Sequence, residues 1–116
     1  MVDINETVDA LLLTLNIPSY YGMPEFGGDE PETYLVYDLY DSAEQYADDV
    51  LQSTANYVTV HIFSGAVHNA LKKRIKQLFA SAGFVYIGGG KLPQDDKIYP
   101  YKLHHYIEFQ ISVQEE

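Results

Sequence analysis

The 116-residue sequence contains no cysteine, no tryptophan and no long apolar run. Without cysteine the chain has no disulfide, no thiolate nucleophile and no cysteine-ligated metal. The longest apolar run near the start, Ala10–Leu13, is too short to cross a membrane, and residues 1–3 lack the basic region of a signal peptide. We therefore expect a soluble protein that is made and kept in a cytoplasm.

Basic residues are missing from the first 71 positions. Residues 1–71 hold twelve acids and no Lys or Arg, whereas residues 72–116 hold all seven basic residues and five acids. The two net charges, −12 and +2, sum to −10. Such an acidic chain repels duplex DNA at long range, which disfavours a nucleic-acid-binding protein. The asymmetry either serves solubility or lets unlike faces of neighbouring copies attract each other.

Apolar residues at helical spacing predict two amphipathic helices. The first covers about residues 4–16 and ends before Pro18. The second follows Ser64, a natural N-cap, and closes at Gly83 as a C-terminal cap. Its apolar stripe consists of Val67, Leu71, Ile75, Leu78, Phe79 and Ala82.

The remaining pattern predicts β-strands separated by loops. Irregular loops are expected near residues 18–32 and 88–100, and the glycines at 88–90 suggest a hairpin tip. The order of elements predicts one α+β domain over residues 1–116, with a mainly antiparallel four- to five-stranded sheet and two helices packed on one face. The strands are expected at Thr33–Tyr40, about 43–53, Tyr57–Phe63, Phe84–Ile87 and Leu103–Val113.

Ser64 and His68 stand four positions apart and form the best candidate for nucleophilic catalysis. No Gly-x-Ser-x-Gly elbow surrounds the serine, and the orienting acid and oxyanion hole are not indicated. A capping serine followed by a surface histidine explains both residues. The acidic pairs Asp48–Asp49 and Asp95–Asp96 are interpreted as turn and loop residues. We expect no catalytic residues and no enzyme.

The four histidines do not suggest a metal site. His104 and His105 are adjacent in a predicted strand, so their side chains point to opposite faces. No pair of ligands with metal-binding spacing lies on a predicted helix. His105 falls on the apolar side of its strand, where a hydrogen-bonded core histidine is the common outcome. We expect neither a metal nor a cofactor.

Two further motifs lie on the second predicted helix and shortly after it. Gly88, Gly89, Gly90 and Lys91 resemble part of a phosphate-binding loop, but the required earlier glycine and following Ser or Thr are absent. A basic cluster covers the polar side of the helix, and it is either a solvated face or a docking patch for acids of another copy or partner. The cluster consists of Lys72, Lys73, Arg74 and Lys76.

The layout of the chain carries a resemblance to a known family. The Tyr-rich strand TYLVYDLY is followed by YVTVHIFSG and LKKRIKQLFASAGF, and the chain closes on YPYKLHHYIEFQISV. Over about residues 4–113 this layout resembles the small tail-completion and tail-terminator (tail-to-head joining) proteins of long-tailed bacteriophages and prophages. The alternatives are a small ligand-binding or regulatory module, with the glycines at 88–90 covering a pocket, and a hydrolase.

The resemblance implies a non-enzymatic part of the virion, assembled in the host cytoplasm. Members of the family form rings, commonly of six copies, at the head-proximal end of the tail, where they stop tube growth and join the tail to the head. The implied partners are other copies, the tail-tube protein and a head-completion protein, while DNA passes through without specific binding. The expected subunit or partner interface comprises Lys72, Lys73, Lys76, Gly88, Gly89 and Gly90.

Overall fold

Seven elements make up the described part of the chain. The computed structural model describes residues 4–22, 33–47, 50–64, 69–92 and 103–114. No helix in these ranges is long and apolar enough to cross a membrane. The elements are α1 (Ile4–Leu13), β1 (Ser19–Tyr21), β2 (Thr33–Ala47), β3 (Val50–Ser64), α2 (Asn69–Ser81), β4 (Val85–Leu92) and β5 (Leu103–Gln114).

The strands form one five-stranded sheet in the order β1-β2-β3-β5-β4. All neighbouring strands are antiparallel except β1 and β2, which are parallel. The register places Val58 of β3 between Leu39 of β2 and Phe109 of β5. Both helices pack against one face of this sheet. The predicted α+β architecture is therefore confirmed, with one parallel pair added.

One hydrophobic core joins the helices to the sheet. Phe79 of α2 stacks on Phe109 of β5, with ring centroids 4.4 Å apart and planes 12° apart. Aromatic pairs of this kind contribute about 0.5–1.5 kcal/mol beyond the burial of their area. The fully buried members of the core include Val8, Leu12, Leu35, Val58, Val60, Ile75, Phe79 and Phe109.

The second helix ends as its sequence predicts. Gly83 adopts a left-handed backbone with φ 95°. Its N–H donates to the carbonyl of Ala80 at 3.1 Å, and the N–H of Phe84 donates to the carbonyl of Phe79 at 3.0 Å. The Phe79 and Phe84 rings also meet edge to face at 5.1 Å. These contacts form a Schellman cap, so the prediction for Gly83 is confirmed.

Ser64 is predicted as the N-cap of the second helix, and residues 65–68, through which it would act as one, lie outside the described residues. Ser64 is the last residue of β3, where it pairs with Thr33 of β2 and Leu103 of β5, whereas α2 begins at Asn69. The hydroxyl oxygens of Ser64 and Thr33 lie 3.3 Å apart. The strand continues to this residue because both neighbouring strands continue beside it.

Both predicted loop regions contain a strand. Ser19–Tyr21 forms β1 beside β2, so the expected irregular loop at 18–32 is wrong at its start. The expected loop at 88–100 is also wrong at its start, because β4 runs through the glycines to Leu92. The single strand favoured at about 43–53 is wrong, because residues 43–47 continue β2, residues 50–53 begin β3, and these two segments pair antiparallel with each other. Asp48–Asp49 and Asp95–Asp96 lie outside the described residues.

Candidate functional site

A groove runs between α2 and the edge of the sheet formed by β4 and β5. Its volume is about 180 Å³. It brings together residues from two separate sequence motifs, the basic cluster and the glycine run, so four of the six expected interface residues meet here. Lys73 is exposed on α2 and Gly88 lies in β4, but neither lines the groove. The lining consists of Lys72, Lys76, Tyr86, Gly89, Gly90, Tyr106 and Ile107.

The helical period positions the two groove lysines. Lys72 and Lys76 are one turn apart beside the buried stripe of α2, and both are half-buried. Long basic side chains pack their stems on apolar surface and keep the charged end in water. The ammonium of Lys76 lies 4.4 Å from the centroid of the Tyr86 ring. This cation–π contact contributes about 0.5–1 kcal/mol at an exposed site and holds the charge over the groove.

Glycine is required on the strand side of the groove. A Cβ atom at Gly89 would lie 2.6 Å from the carbonyl oxygen of Tyr106, which is backbone and cannot move aside easily. A Cβ at Gly90 would lie 3.4 Å from the ring of Tyr106, whereas one at Gly88 would have nothing within 4 Å. The glycines therefore allow a close approach of β4 to β5 rather than forming a hairpin tip.

The positive charges beside the groove have no acidic partner in the described ranges. None of the basic side chains of α2, nor Lys91 of β4, lies within ion-pair distance of a described carboxylate. The open β4 edge adds exposed apolar side chains at Val85, Tyr86 and Ile87. A basic and partly apolar surface is thus available for an acidic partner.

His105 is buried behind this basic surface, as predicted for a core histidine on the apolar side of β5. Burial lowers its pKa, and the positive charges of Lys72 and Lys91 lower the pKa further. Neither ring nitrogen has a hydrogen-bond partner among the described residues, so the expected hydrogen bond is not found there. The ring is therefore held neutral at pH 7 and adds no charge to the groove.

Most of the acids that the structure describes lie away from the groove, on α1 and β2. Glu6 and Asp9 belong to α1, and Asp38 and Asp41 belong to β2. Because the strand order keeps β1, β2 and β3 together and places β5 and β4 beyond them, these described acids lie apart from the basic residues of α2 and β4. Glu108 on β5 is the exception among the described acids. A shallow groove of about 250 Å³ on the acidic side is lined by Leu39, Tyr40, Asp41 and Asn56.

A second cluster lies on the sheet face opposite the helices. Phe63 stacks on Tyr34 at 5.0 Å and on His104 at 4.2 Å between ring centroids. His61 Nδ1 lies 2.7 Å from His104 Nε2, and His61 Nε2 lies 3.6 Å from a carboxylate oxygen of Asp38. Sequence reasoning missed this histidine pair, because the two residues meet only through the register of β3 against β5.

Burial lowers the pKa of both histidines in this cluster. The pKa of His104 falls to about 4, with the neighbouring His61 and His105 adding to the effect of burial. The pKa of His61 is also lowered by burial, although Asp38 and Glu108 act in the opposite direction. Both rings are therefore neutral at pH 7.

Neither of the other chemical candidates is assembled by the described residues. His68, the predicted companion of Ser64, lies outside the described ranges, and the Ser64 hydroxyl is directed at Thr33. Within the described parts of the chain, no group of three or more His, Asp or Glu side chains is placed to hold a metal ion.

Comparison with solved structures shows a likeness of fold. The chain is similar to a chain from the virion of a native gene transfer agent particle, with a TM-score of 0.44 and 12% sequence identity over 90% of this chain and 84% of that chain. A likeness at this level carries no conclusion about function. No protein-family model and no curated protein matches the sequence.

Proposed function

We propose that this chain is a non-enzymatic structural protein of a phage-type virion, which assembles into a ring at the head-proximal end of the tail, ends growth of the tail tube and joins tail to head. The observation that carries the proposal is the separation of the basic groove on α2 and β4, which has no acidic partner among the described residues, from the described acids of α1 and β2. The resemblance of the sequence layout to tail-terminator proteins supports the proposed place at the head-proximal end of the tail.

Opposite charge on opposite sides favours a head-to-tail contact between copies. Each copy then presents its basic groove to the acidic side of the next, and such a heterologous contact closes into a ring when its rotation permits. Complementary potentials of this kind raise the association rate and select the partner. The exposed aromatic side chains of Tyr86 on the basic side and Tyr40 on the acidic side add apolar area to the contact.

The net charge of the chain fits a channel through which DNA passes. With a net charge of −10, a ring of several copies presents a negative wall to the polyanion. Because like charges repel, the nucleic acid slides without adhering, and the salt-dependent attraction of a DNA-binding protein is absent.

Neutralising the groove tests the proposal. The variant Lys72→Gln/Lys73→Gln/Lys76→Gln is expected to remain monomeric at concentrations where the parent chain assembles, as measured by sedimentation velocity. The matched control Gln77→Glu/Ala80→Glu/Ser81→Glu changes the charge by the same amount at exposed positions of the same helix and is expected to assemble. Assembly of the first variant at parental concentrations would contradict the proposed role of the groove.

A small-ligand-binding or regulatory module is the second candidate, and its support is the convergence of Lys72 and Lys76 on one groove. Sites for drug-sized ligands usually enclose roughly 300–1,000 Å³, so this groove of about 180 Å³ suits only a small anion. Titration with phosphate, sulfate and small carboxylates, followed by amide NMR shifts at β4, separates the two functions. Saturable binding without any self-assembly would favour this candidate.

A further inference from the structure

Two histidines from neighbouring strands direct ring nitrogens at each other on the sheet face opposite the helices. In the register of β3 against β5, His61 pairs with Tyr106 and His104 pairs with Phe63, so the two histidines are diagonal neighbours. Their nitrogens, His61 Nδ1 and His104 Nε2, lie 2.7 Å apart. Diagonal side chains on paired strands are within reach of each other when they are aromatic or long.

A carboxylate stands beside the other nitrogen of His61. Asp38 Oδ2 lies 3.6 Å from His61 Nε2, and its negative charge favours the tautomer that carries the proton there. That tautomer leaves the lone pair of Nδ1 directed at His104. Metal-binding histidines are commonly oriented in this way, with the second ring nitrogen facing a carboxylate.

The surroundings hold the pair in place, and two acids act on His61. His104 is 9% exposed, and its ring stacks on Phe63 at 4.2 Å. Asp38 and Glu108 both act electrostatically on His61 from the two flanking strands. Rigid rings and nearby negative charge lower the cost of arranging ligands around a positive ion.

We propose that His61 Nδ1 and His104 Nε2 together bind one divalent late-transition-metal ion, of the class that imidazole prefers: Zn²⁺, Ni²⁺ or Cu²⁺. His104 then carries its proton on Nδ1 instead of Nε2, so both rings remain neutral and no net proton is released. Metal–nitrogen distances of about 2.0–2.1 Å require the two nitrogens to be roughly 0.2–0.7 Å farther apart than the 2.7 Å observed, which small ring rotations supply.

The site supplies two protein ligands and leaves the other coordination positions to water. Because no third ligand joins the pair among the described residues, binding is expected to be weaker than at a four-ligand structural zinc site. The inference is independent of ring assembly. His61, His104 and Asp38 lie on the sheet face opposite the helices, and none of them lines the basic groove.

Calorimetric titration of the chelator-treated chain with Zn²⁺ and Ni²⁺ tests the inference. One equivalent is expected to bind, and His61→Gln and His104→Gln are each expected to weaken binding by at least about tenfold. Asp38→Asn is expected to weaken it by about 10-fold, the lower end for an orienting carboxylate. Asp9→Asn removes an acid from α1, on the helix face of the sheet, and is expected to leave the affinity unchanged.

A second readout keeps the test valid where a variant fails to fold. On addition of Zn²⁺ to the parent chain, the imidazole NMR resonances of His61 and His104 are expected to shift together, while those of the other two histidines stay unchanged. Absence of binding at millimolar metal, the affinity of the parent chain in both pair variants, or shifts confined to carboxylates would overturn the inference.

Discussion

Residues 1–71 and residues 72–116 share one hydrophobic core but carry opposite surfaces. The first part, with α1 and β1–β3, has no basic residue, whereas the second, with most of α2 and with β4 and β5, has all seven. The sheet order places the strands of each part side by side, so the join lies between β3 and β5. Among the described residues, the acids of the first part therefore lie apart from the basic residues of the second.

The largest change in stability is expected from a substitution in the hydrophobic core that the two parts share. Phe109 is fully buried on β5, pairs with Val58 of β3 and stacks on Phe79 of α2. Phe109→Ala is expected to lower the free energy of unfolding by about 3–5 kcal/mol, because it removes apolar contacts and leaves a cavity at the join. Urea unfolding measures this change.

The control for that substitution is Leu13→Ala. Leu13 is 68% exposed on α1, so its removal is expected to change stability by less than about 0.5 kcal/mol. Two separate unfolding transitions in the parent chain would contradict a single core shared by both parts.

Acidification is expected to weaken the join between β3 and β5. The pKa of His104 is about 4 in the folded chain and about 6.5 when unfolded, so the unfolded state binds the proton more readily. Stability is therefore fully present above about pH 6.5 and falls as the pH drops from about 6.5 towards 4, by up to about 3 kcal/mol.

Thermal unfolding of metal-free protein across this pH range measures the effect. His104→Gln is expected to flatten the dependence, whereas Asp41→Asn, which removes an exposed acid from β2, is expected to leave the slope in this window largely unchanged. A parent chain equally stable at pH 4 and pH 7 would contradict the lowered pKa of His104.

The glycines of β4 offer a sharper comparison within the second part. Gly89→Ala is expected to cost about 1–3 kcal/mol, because the new Cβ would lie 2.6 Å from a backbone oxygen of Tyr106. Gly88→Ala, at the neighbouring position, meets nothing within 4 Å and is expected to stabilise the chain by about 0.4–1 kcal/mol. Equal effects at both positions, measured by urea unfolding, would argue against the close approach of β4 to β5.

The basic residues proposed for docking, Lys72, Lys73 and Lys76, are expected to affect assembly strongly and the stability of the monomer only slightly. Lys73 is exposed, and Lys72 and Lys76 have no described acidic partner. Replacement by Gln is expected to change the free energy of unfolding by about 0.5 kcal/mol or less at Lys72 and Lys73. At Lys76 the loss of the contact with Tyr86 is expected to cost about 0.5–1 kcal/mol. A large loss of stability in the monomer would mean that these residues serve the fold rather than docking.

The elements that could be predicted are those whose sequence pattern lies among neighbouring residues. The apolar stripe of α1, the alternation of β5 and the cap at Gly83 each follow from neighbouring residues. β1 was missed because three residues have no period of their own and form a strand only beside β2. β4 was cut short because glycine disfavours strands, although Gly89 is needed for close packing against Tyr106.

The residues of the basic groove could be predicted from the sequence, but their arrangement could not, for the same reason. The basic cluster and the glycine run were visible in the sequence, but their meeting in one groove depends on the packing of α2 beside β4 and β5. The pairing of His61 with His104 depends on a strand register between residues 43 positions apart. Local patterns do not contain that information.

Negative-stain electron microscopy of the concentrated protein, alone and mixed with tail tubes of the same phage or prophage, tests the central claim most directly. The account predicts closed rings and one ring at a single end of each tube, with neither present for the Lys72→Gln/Lys73→Gln/Lys76→Gln variant. Monomers that neither close into rings nor bind tube ends, at any concentration reached, would contradict it.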